Sequence, residues 1–224
     1  MRTLAIGDIH GDLDALTALL DAVSPQPSDL LVTLGDYVDR GTSSREVLDR
    51  MIALGRETRH VAIRGNHDQL MLDSRNDADE LEVWRSLGGD STLASYGDGA
   101  IAEVPDAHWR FLDEVCVDWH ETDTHVFVHA HVDPKLPLEE QSVRALHWRA
   151  LSLAQPHVSG KTVVCGYTPQ KSGFPIDLGH TICIDTAPWL SCVDLGSGEV
   201  WQADSVGRVR RAVLSRGEAD REGQ

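Results

Sequence analysis

The sequence predicts an α/β fold built on two packed, mixed β-sheets, and three observations predict it. Short β-rich runs alternate with amphipathic helical stretches through the first third of the chain. From about residue 116, strand-like runs follow one another at close spacing. The 224 residues, 41% of them hydrophobic, can bury one full core. One domain is expected over residues 1–204, with 79–115 as a helical cap region and 205–224 as a charged, frayed tail.

TLAIGD (3–8) reads as the first strand, after which Leu13, Leu16, Leu19, Leu20 and Val23 recur at helical spacing. DLLVTLGD (29–36) reads as the second, followed by a helix carrying Val47, Leu48, Met51 and Ile52 that stops near Gly55. HVAIRG (60–65) is the third. Each strand runs straight into a polar cluster at its C-terminal end, where open α/β sheets bind ligands. In the cap region Trp84, Leu87, Trp109, Leu112 and Val115 are candidate core contacts. CVDWH, THVFVHA, KTVVCGY, HTICIDT, WLSCVDL and EVWQAD then read as strands of a second sheet, expected to be mostly antiparallel. Apolar periodicity ends after Leu214.

Composition narrows the function. A formal charge of −16 argues against a nucleic-acid partner, because phosphate backbones need clustered Lys and Arg. No apolar run approaches the roughly 18 residues of a membrane span. The start, MRTLAIGDIHG, lacks the pattern of a signal peptide, so a cytoplasmic location without a membrane partner is expected. Cys116, Cys165, Cys183 and Cys192 form no CxxC pair, and most lie in strand-like runs, which suits buried free thiols.

The polar clusters carry the chemistry. In Gly7-Asp8-Ile9-His10-Gly11 a carboxylate and an imidazole stand two residues apart; strand alternation would point both to one side, able to grip one cation. Gly35-Asp36-Tyr37-Val38-Asp39-Arg40-Gly41 follows the second strand and Gly65-Asn66-His67-Asp68 the third. One sheet edge thus collects Asp8, His10, Asp36, Asp39, Arg40, Asn66 and His67. So many ionisable groups are unlike three unrelated capped turns.

GDIHG, GDYVDRG and GNHD, in that order and spacing, resemble the calcineurin-like metallophosphoesterases, in particular the phosphoprotein-phosphatase branch with its bacterial and phage serine/threonine phosphatases. Val128-His129-Ala130, Leu146-His147-Trp148-Arg149 and GYTPQ…HTICIDT extend the resemblance over about 1–204. It implies a β-sandwich flanked by helices on both sides and a dinuclear centre hydrolysing phosphomonoesters, with phosphoserine or phosphothreonine proteins as the leading substrate. Asp8 and His10 would hold the first metal, Asp36 would bridge, and Asn66 with His129 would hold the second. The ions would be divalent, Mn foremost, with Fe, Zn or Ni also compatible with mixed imidazole, carboxylate and amide ligands. Such a pair would turn a shared water into the attacking hydroxide. Arg40 and Arg149 would clamp the phosphate, and His67 would protonate the departing alkoxide with Asp39 orienting it. Asp68 would fix its loop. A dinucleoside-tetraphosphate hydrolase is the alternative enzyme, although no aromatic-and-basic nucleoside pocket is legible.

Two departures stand out. Where the family has the last histidine of the second metal, this chain has Tyr167, and neutral tyrosine is a poor ligand. Tyr167 could bind as phenolate, which needs a strongly acidic ion because its ordinary pKa is about 10. His131, two residues beyond His129, could substitute. The second site could also have one protein ligand fewer and be weaker, in the extreme a phosphate-binding protein without turnover. After IDT, Ala187-Pro188-Trp189 replaces a Gly-rich loop; Trp189 is expected to pack in the core rather than flank the site. His180 reads as structural, the remaining histidines as surface or satisfied groups, and Gly88-Gly89-Asp90 as a turn.

Overall fold

The structure, a computed structural model, describes residues 1–216. In chain order the elements are β1 (Thr3–Ile6), α1 (Leu13–Val23), β2 (Leu30–Thr33), α2 (Ser44–Glu57), β3 (Arg59–Ala62), α3 (Asn66–Asp73), α4 (Ala78–Trp84), α5 (Asp90–Ala94) and α6 (Asp106–Arg110). They continue as β4 (Trp119–Glu121), β5 (His125–Val128), α7 (Val143–Trp148), β6 (Thr162–Cys165), β7 (Ile176–Asp177), β8 (Thr181–Cys183), β9 (Leu190–Asp194), β10 (Glu199–Ala203), β11 (Val209–Val213) and β12 (Ser215–Arg216).

The strands form two six-stranded sheets, ordered β11-β10-β9-β1-β2-β3 and β12-β7-β8-β6-β5-β4. Period-two alternation buries opposite faces of one strand in different layers. Leu4, Ile6 and Leu31 face α1, α2 and the cap, whereas Ala5, Leu30 and Val32 meet Phe127, Val164 and Ile182 between the sheets. Val126, Val128, Val163 and Cys165 face outward to Leu138 and Leu146 of the layer containing α7. The result is the helix–sheet–sheet–helix sandwich that the resemblance implies.

Three expectations need correction. The second sheet is not mostly antiparallel, because β6 pairs in parallel with both β5 and β8, and β12 with β7. WLSCVDL and EVWQAD, as β9 and β10, join the first sheet, where β9 runs antiparallel to the free edge of β1. The charged tail is ordered as far as 216: β11 pairs with β10 from Val209↔Ala203 to Val213↔Glu199, while 217–224 lie outside the described residues.

The 79–115 segment is helical, broken at Gly88, whose φ of 122° ends one helix before α5 begins. Trp84, Trp109 and Leu112 are buried there, but Leu87 and Val115 are exposed rather than in the core. All four cysteines are buried and free. Among the described residues no helix is long and apolar enough to cross a membrane.

Candidate metal centre

The C-terminal ends of β1, β2 and β3 feed turns whose backbones enter the left-handed region at His10 (φ 48°), Asp36 (51°), Asp39 (72°) and Arg40 (68°), and Tyr167 (63°) does so after β6. The only other non-glycine residue of this kind among the described residues is Ser24. Such backbone is disfavoured for L-residues and concentrates where a site needs its side chains re-aimed. These turns converge Asp8 and His10, and strand alternation does not, since β1 ends at Ile6. Gly65 and Gly166 are required by close approach: a Cβ on either would collide with the carboxylate of Asp36 or Asp8, respectively.

Two triads have ligating atoms within 4.8 Å of one another, His10 with Asp36 and His67, and Asp8 with Asp36 and His129. Asp36 belongs to both, its Oδ2 3.4 Å from His10 Nε2 and its Oδ1 3.5 Å from His129 Nε2. The Nδ1 atoms of both histidines face backbone carbonyls, Val38 O at 3.0 Å and Leu34 O at 2.8 Å. With Nδ1–H donating there, each Nε2 offers only a lone pair.

This donor set fits divalent cations on the geometry itself. Burial pushes the His10 pKa down to about 4, and burial also lowers that of His129, so both rings are neutral at neutral pH. A neutral ring has one proton, yet each nitrogen of His129 faces an oxygen, Nε2 lying 2.8 Å from Asn66 Oδ1. One of these contacts must therefore set acceptor against acceptor, a repulsion that a cation between the lone pairs removes. Asp36 and Asp185 add two buried carboxylates and Asp8 a half-buried one, and no Lys or Arg forms an ion pair with any of them among the described residues. Burial, with Asp185 and Asp36 nearby, drives the Asp8 pKa well up, and burial brings that of Asp185 to about 6. Asp185 is a site residue that no role was given from sequence, although it stands in the IDT motif.

His67 is placed differently. Its Nδ1 lies 2.7 Å from Asp39 Oδ2 and its Nε2 3.2 Å from Arg40 Nη2, so both nitrogens are engaged by neighbours. Burial alone would lower its pKa, but the Asp39 hydrogen bond and the charges of Asp36 and Asp39 outweigh this and hold it above the ordinary value. Asp39 in turn accepts from Trp84 Nε1 at 2.9 Å and Thr92 Oγ1 at 2.7 Å. Sequence reading took Trp84 for core packing alone and missed Thr92; their contacts with Asp39 span 45 and 53 residues and leave no local pattern. Asp68 fixes its loop by accepting from the backbone N–H groups of Asp36, Tyr37 and Gly65 at 2.8–2.9 Å.

The other expected residues divide. Tyr167 donates its backbone N–H to Asp8 Oδ2 at 3.1 Å and sets its ring edge-on to His129 (5.6 Å) and Trp148 (6.3 Å). His131 does not join the convergent groups: its ring nitrogens meet Val132 O at 3.1 Å and Thr181 Oγ1 at 3.2 Å in the core. Arg149 follows α7 beside Trp148, and its buried Nε has no hydrogen-bond partner among the described residues, as suits a guanidinium that takes an anion. Trp189 is half-buried instead of in the core; Arg210 stacks on it at 3.9 Å, and it walls a cavity of about 420 Å³ shared with Asp8, His10 and Arg40. His180 bonds Thr181 Oγ1 at 2.9 Å, a structural contact.

Residues 1–181 match the family described as calcineurin-like phosphoesterase. The chain is 42% identical over 86 residues to serine/threonine-protein phosphatase 1 of Salmonella typhimurium, covering 38% of each chain. It is 33% identical over 144 residues to a symmetrical bis(5'-nucleosyl)-tetraphosphatase of Pseudomonas putida, 62% of this chain and 45% of that one. The matched segment thus spans less than half the length of either relative. A solved protein serine/threonine phosphatase from Saccharomyces cerevisiae superposes with a TM-score of 0.62 at 16% identity, covering 98% of this chain and 82% of that one; at this identity the likeness concerns the fold.

Proposed function

The chain belongs to the calcineurin-like phosphoesterase family, and on that premise we propose that it is a divalent-cation-dependent hydrolase of phosphate esters. One observation carries the reading: Asp36 stands between two neutral histidines whose Nε2 lone pairs meet only acceptors, with the Asp39–His67–Arg40 line beside them. Asp8, His10 and Asp36 would hold one cation and Asp36, Asn66 and His129 the other, with Mn²⁺ the ion we favour. Bound cations supply Lewis-acid polarisation of the phosphoryl oxygens and a more acidic water.

The chain's own groups do the rest. Arg40 and Arg149 offer guanidinium forks to phosphate oxygens and offset charge that builds on them. Arg40 now donates to the Nε2 lone pair of His67; once it turns to phosphate, that nitrogen is free to carry a proton. Asp39, fixed by Trp84 and Thr92, keeps Nδ1–H in place and favours the protonated ring. His67 then delivers the Nε2 proton to the departing oxygen, a step worth roughly 10²–10⁴-fold. The Gly65 and Asp68 contacts hold the turn so that His67 and Asp36 keep their spacing.

Phosphoserine and phosphothreonine proteins are the substrates we infer first, supported by the name of the Salmonella relative. Hydrolysis of a dinucleoside tetraphosphate is the second reading, favoured by a groove described below. A weakly active phosphate binder has Tyr167 alone in its support. The test is phosphate release from a phosphoserine peptide, p-nitrophenyl phosphate and diadenosine tetraphosphate after chelation and after adding back Mn²⁺. Activity lost on chelation and restored by the cation is expected. No release from any of them under any divalent cation would sink the hydrolase reading.

A further inference from the structure

Beside the centre runs a groove of about 730 Å³ lined by Gln69, Asp73, Val143, Arg144, Trp148 and Tyr167, well within the size range of small-molecule sites, roughly 300–1,000 Å³. We propose that this groove seats the base of a nucleoside polyphosphate whose reacting phosphate lies at the centre, with Arg144 taking the charge of a further phosphate. The proposal rests on phosphoester hydrolysis at the neighbouring site and deepens the second substrate reading by giving its base and its further phosphate a place.

Two elements lead from the centre to the groove. Tyr167 holds Asp8 with its backbone and lays its ring against His129, so the same residue edges both spaces. Helix α3 begins with Asn66 and His67 and carries Gln69 and Asp73 down the groove one and two turns later. A molecule anchored by its phosphate therefore meets this wall next.

The wall is aromatic where a base would lie. Trp148 and Tyr167 stand 81° to one another with centroids 6.3 Å apart, forming a corner with two π surfaces. Trp148 is 42% exposed, the one tryptophan of six in the chain that is exposed in this way; an indole left to solvent beside a reactive centre is a platform awaiting a ring. Gln69 and Asp73 also line the groove, tied to one another by a hydrogen bond from Gln69 Nε2 to Asp73 Oδ1 at 2.8 Å, which leaves Asp73 Oδ2 to accept from an exocyclic amine of a base. Arg144 lies on the Trp148 face of α7, four residues earlier, and makes no ion pair among the described residues, although the chain carries a net charge of −16. A phosphoserine side chain has neither a ring for the corner nor a second anionic group for Arg144.

The experiment compares AMP with ribose 5-phosphate, which lacks the base, and ADP with AMP, which lacks the second phosphate, by calorimetric titration of the Mn²⁺-supplied protein. Trp148→Ala, Trp148→Tyr and Arg144→Gln are measured alongside, together with kcat/KM for diadenosine tetraphosphate and O-phosphoserine. AMP should bind about ten-fold or more tighter than ribose 5-phosphate, a preference that Trp148→Ala removes and Trp148→Tyr largely restores. Arg144→Gln should erase the advantage of ADP over AMP. Both Trp148→Ala and Arg144→Gln should lower kcat/KM for the dinucleotide at least about ten-fold more than for O-phosphoserine. AMP binding no tighter than ribose 5-phosphate, or equal losses on both substrates, would overturn the proposal while leaving the hydrolase reading intact. Base-dependent binding through Trp148 without phosphate release from any substrate would uphold the groove and sink the hydrolase reading.

Discussion

On the first-sheet side of the centre, Asp8, His10 and Asp36 come from turns pinned to one another by backbone bonds, with His10 N and Ile9 N both donating to Asp36 O at 2.7 and 3.1 Å. On the second-sheet side His129 reaches the centre from the end of β5, and the Tyr167 position contributes a backbone N–H and a ring edge rather than an imidazole. On the reading proposed above, the first side would grip a cation and the second would grip less while shaping a groove. A histidine holds a cation, whereas a tyrosine ring offers a flat apolar wall with a polar tip. On that reading, tyrosine at 167 would serve recognition where a histidine would serve the metal.

The largest test of this contrast lies on the first side. His67→Ala should cost roughly 10²–10⁴-fold in kcat while elemental analysis finds the cation content of the wild type; loss of a cation would make His67 a ligand and not an acid. Next comes the second side. Tyr167→His should tighten binding of the weaker cation roughly ten-fold or more, read from Mn²⁺ titration of activity and of metal content. Equal affinity in the two proteins would erase the difference between the halves. The smallest effect is expected at His131→Ala, with cation content unchanged and stability to urea reduced by about 1–2 kcal/mol for its two lost hydrogen bonds. A fall in cation content there would return His131 to the second side as a ligand.

What the sequence disclosed follows from how far each interaction reaches. Asp8, His10, Asp36, Asn66 and His67 sit in short motifs at strand ends, so their convergence could be read from spacing once three strands were seen to run in parallel. The membership of β9 and β10 could not, because strands buried on both faces show continuous apolar runs that do not say which sheet they join; the vacant edge of β1 decides it. Strand β11 escaped notice since its arginine-rich residues carry little apolar pattern; it is held along β10 by the backbone ladder and by side-chain bonds from Arg210 to Gln202 and Arg211 to Glu199. Trp84 and Thr92 were illegible as supports of Asp39 for the same reason that Trp148 and Tyr167 were illegible as neighbours: each pair is assembled across a tertiary interface. Tyr167 was visible as an anomaly, but only its two ring contacts show what surrounds it.

The left-handed turns have a consequence for cooperativity. His10, Asp36, Asp39, Arg40 and Tyr167 each hold a backbone conformation costing roughly 1 kcal/mol or more outside this context. Left to themselves these segments would relax, so what keeps them in place is the set of backbone bonds between the turns together with the packed sheets that carry them. The centre's geometry is thus a property of the whole sandwich, and hydrogen exchange should find the amides of these turns as slow as those of the core strands; fast exchange there would show that the turns open by themselves.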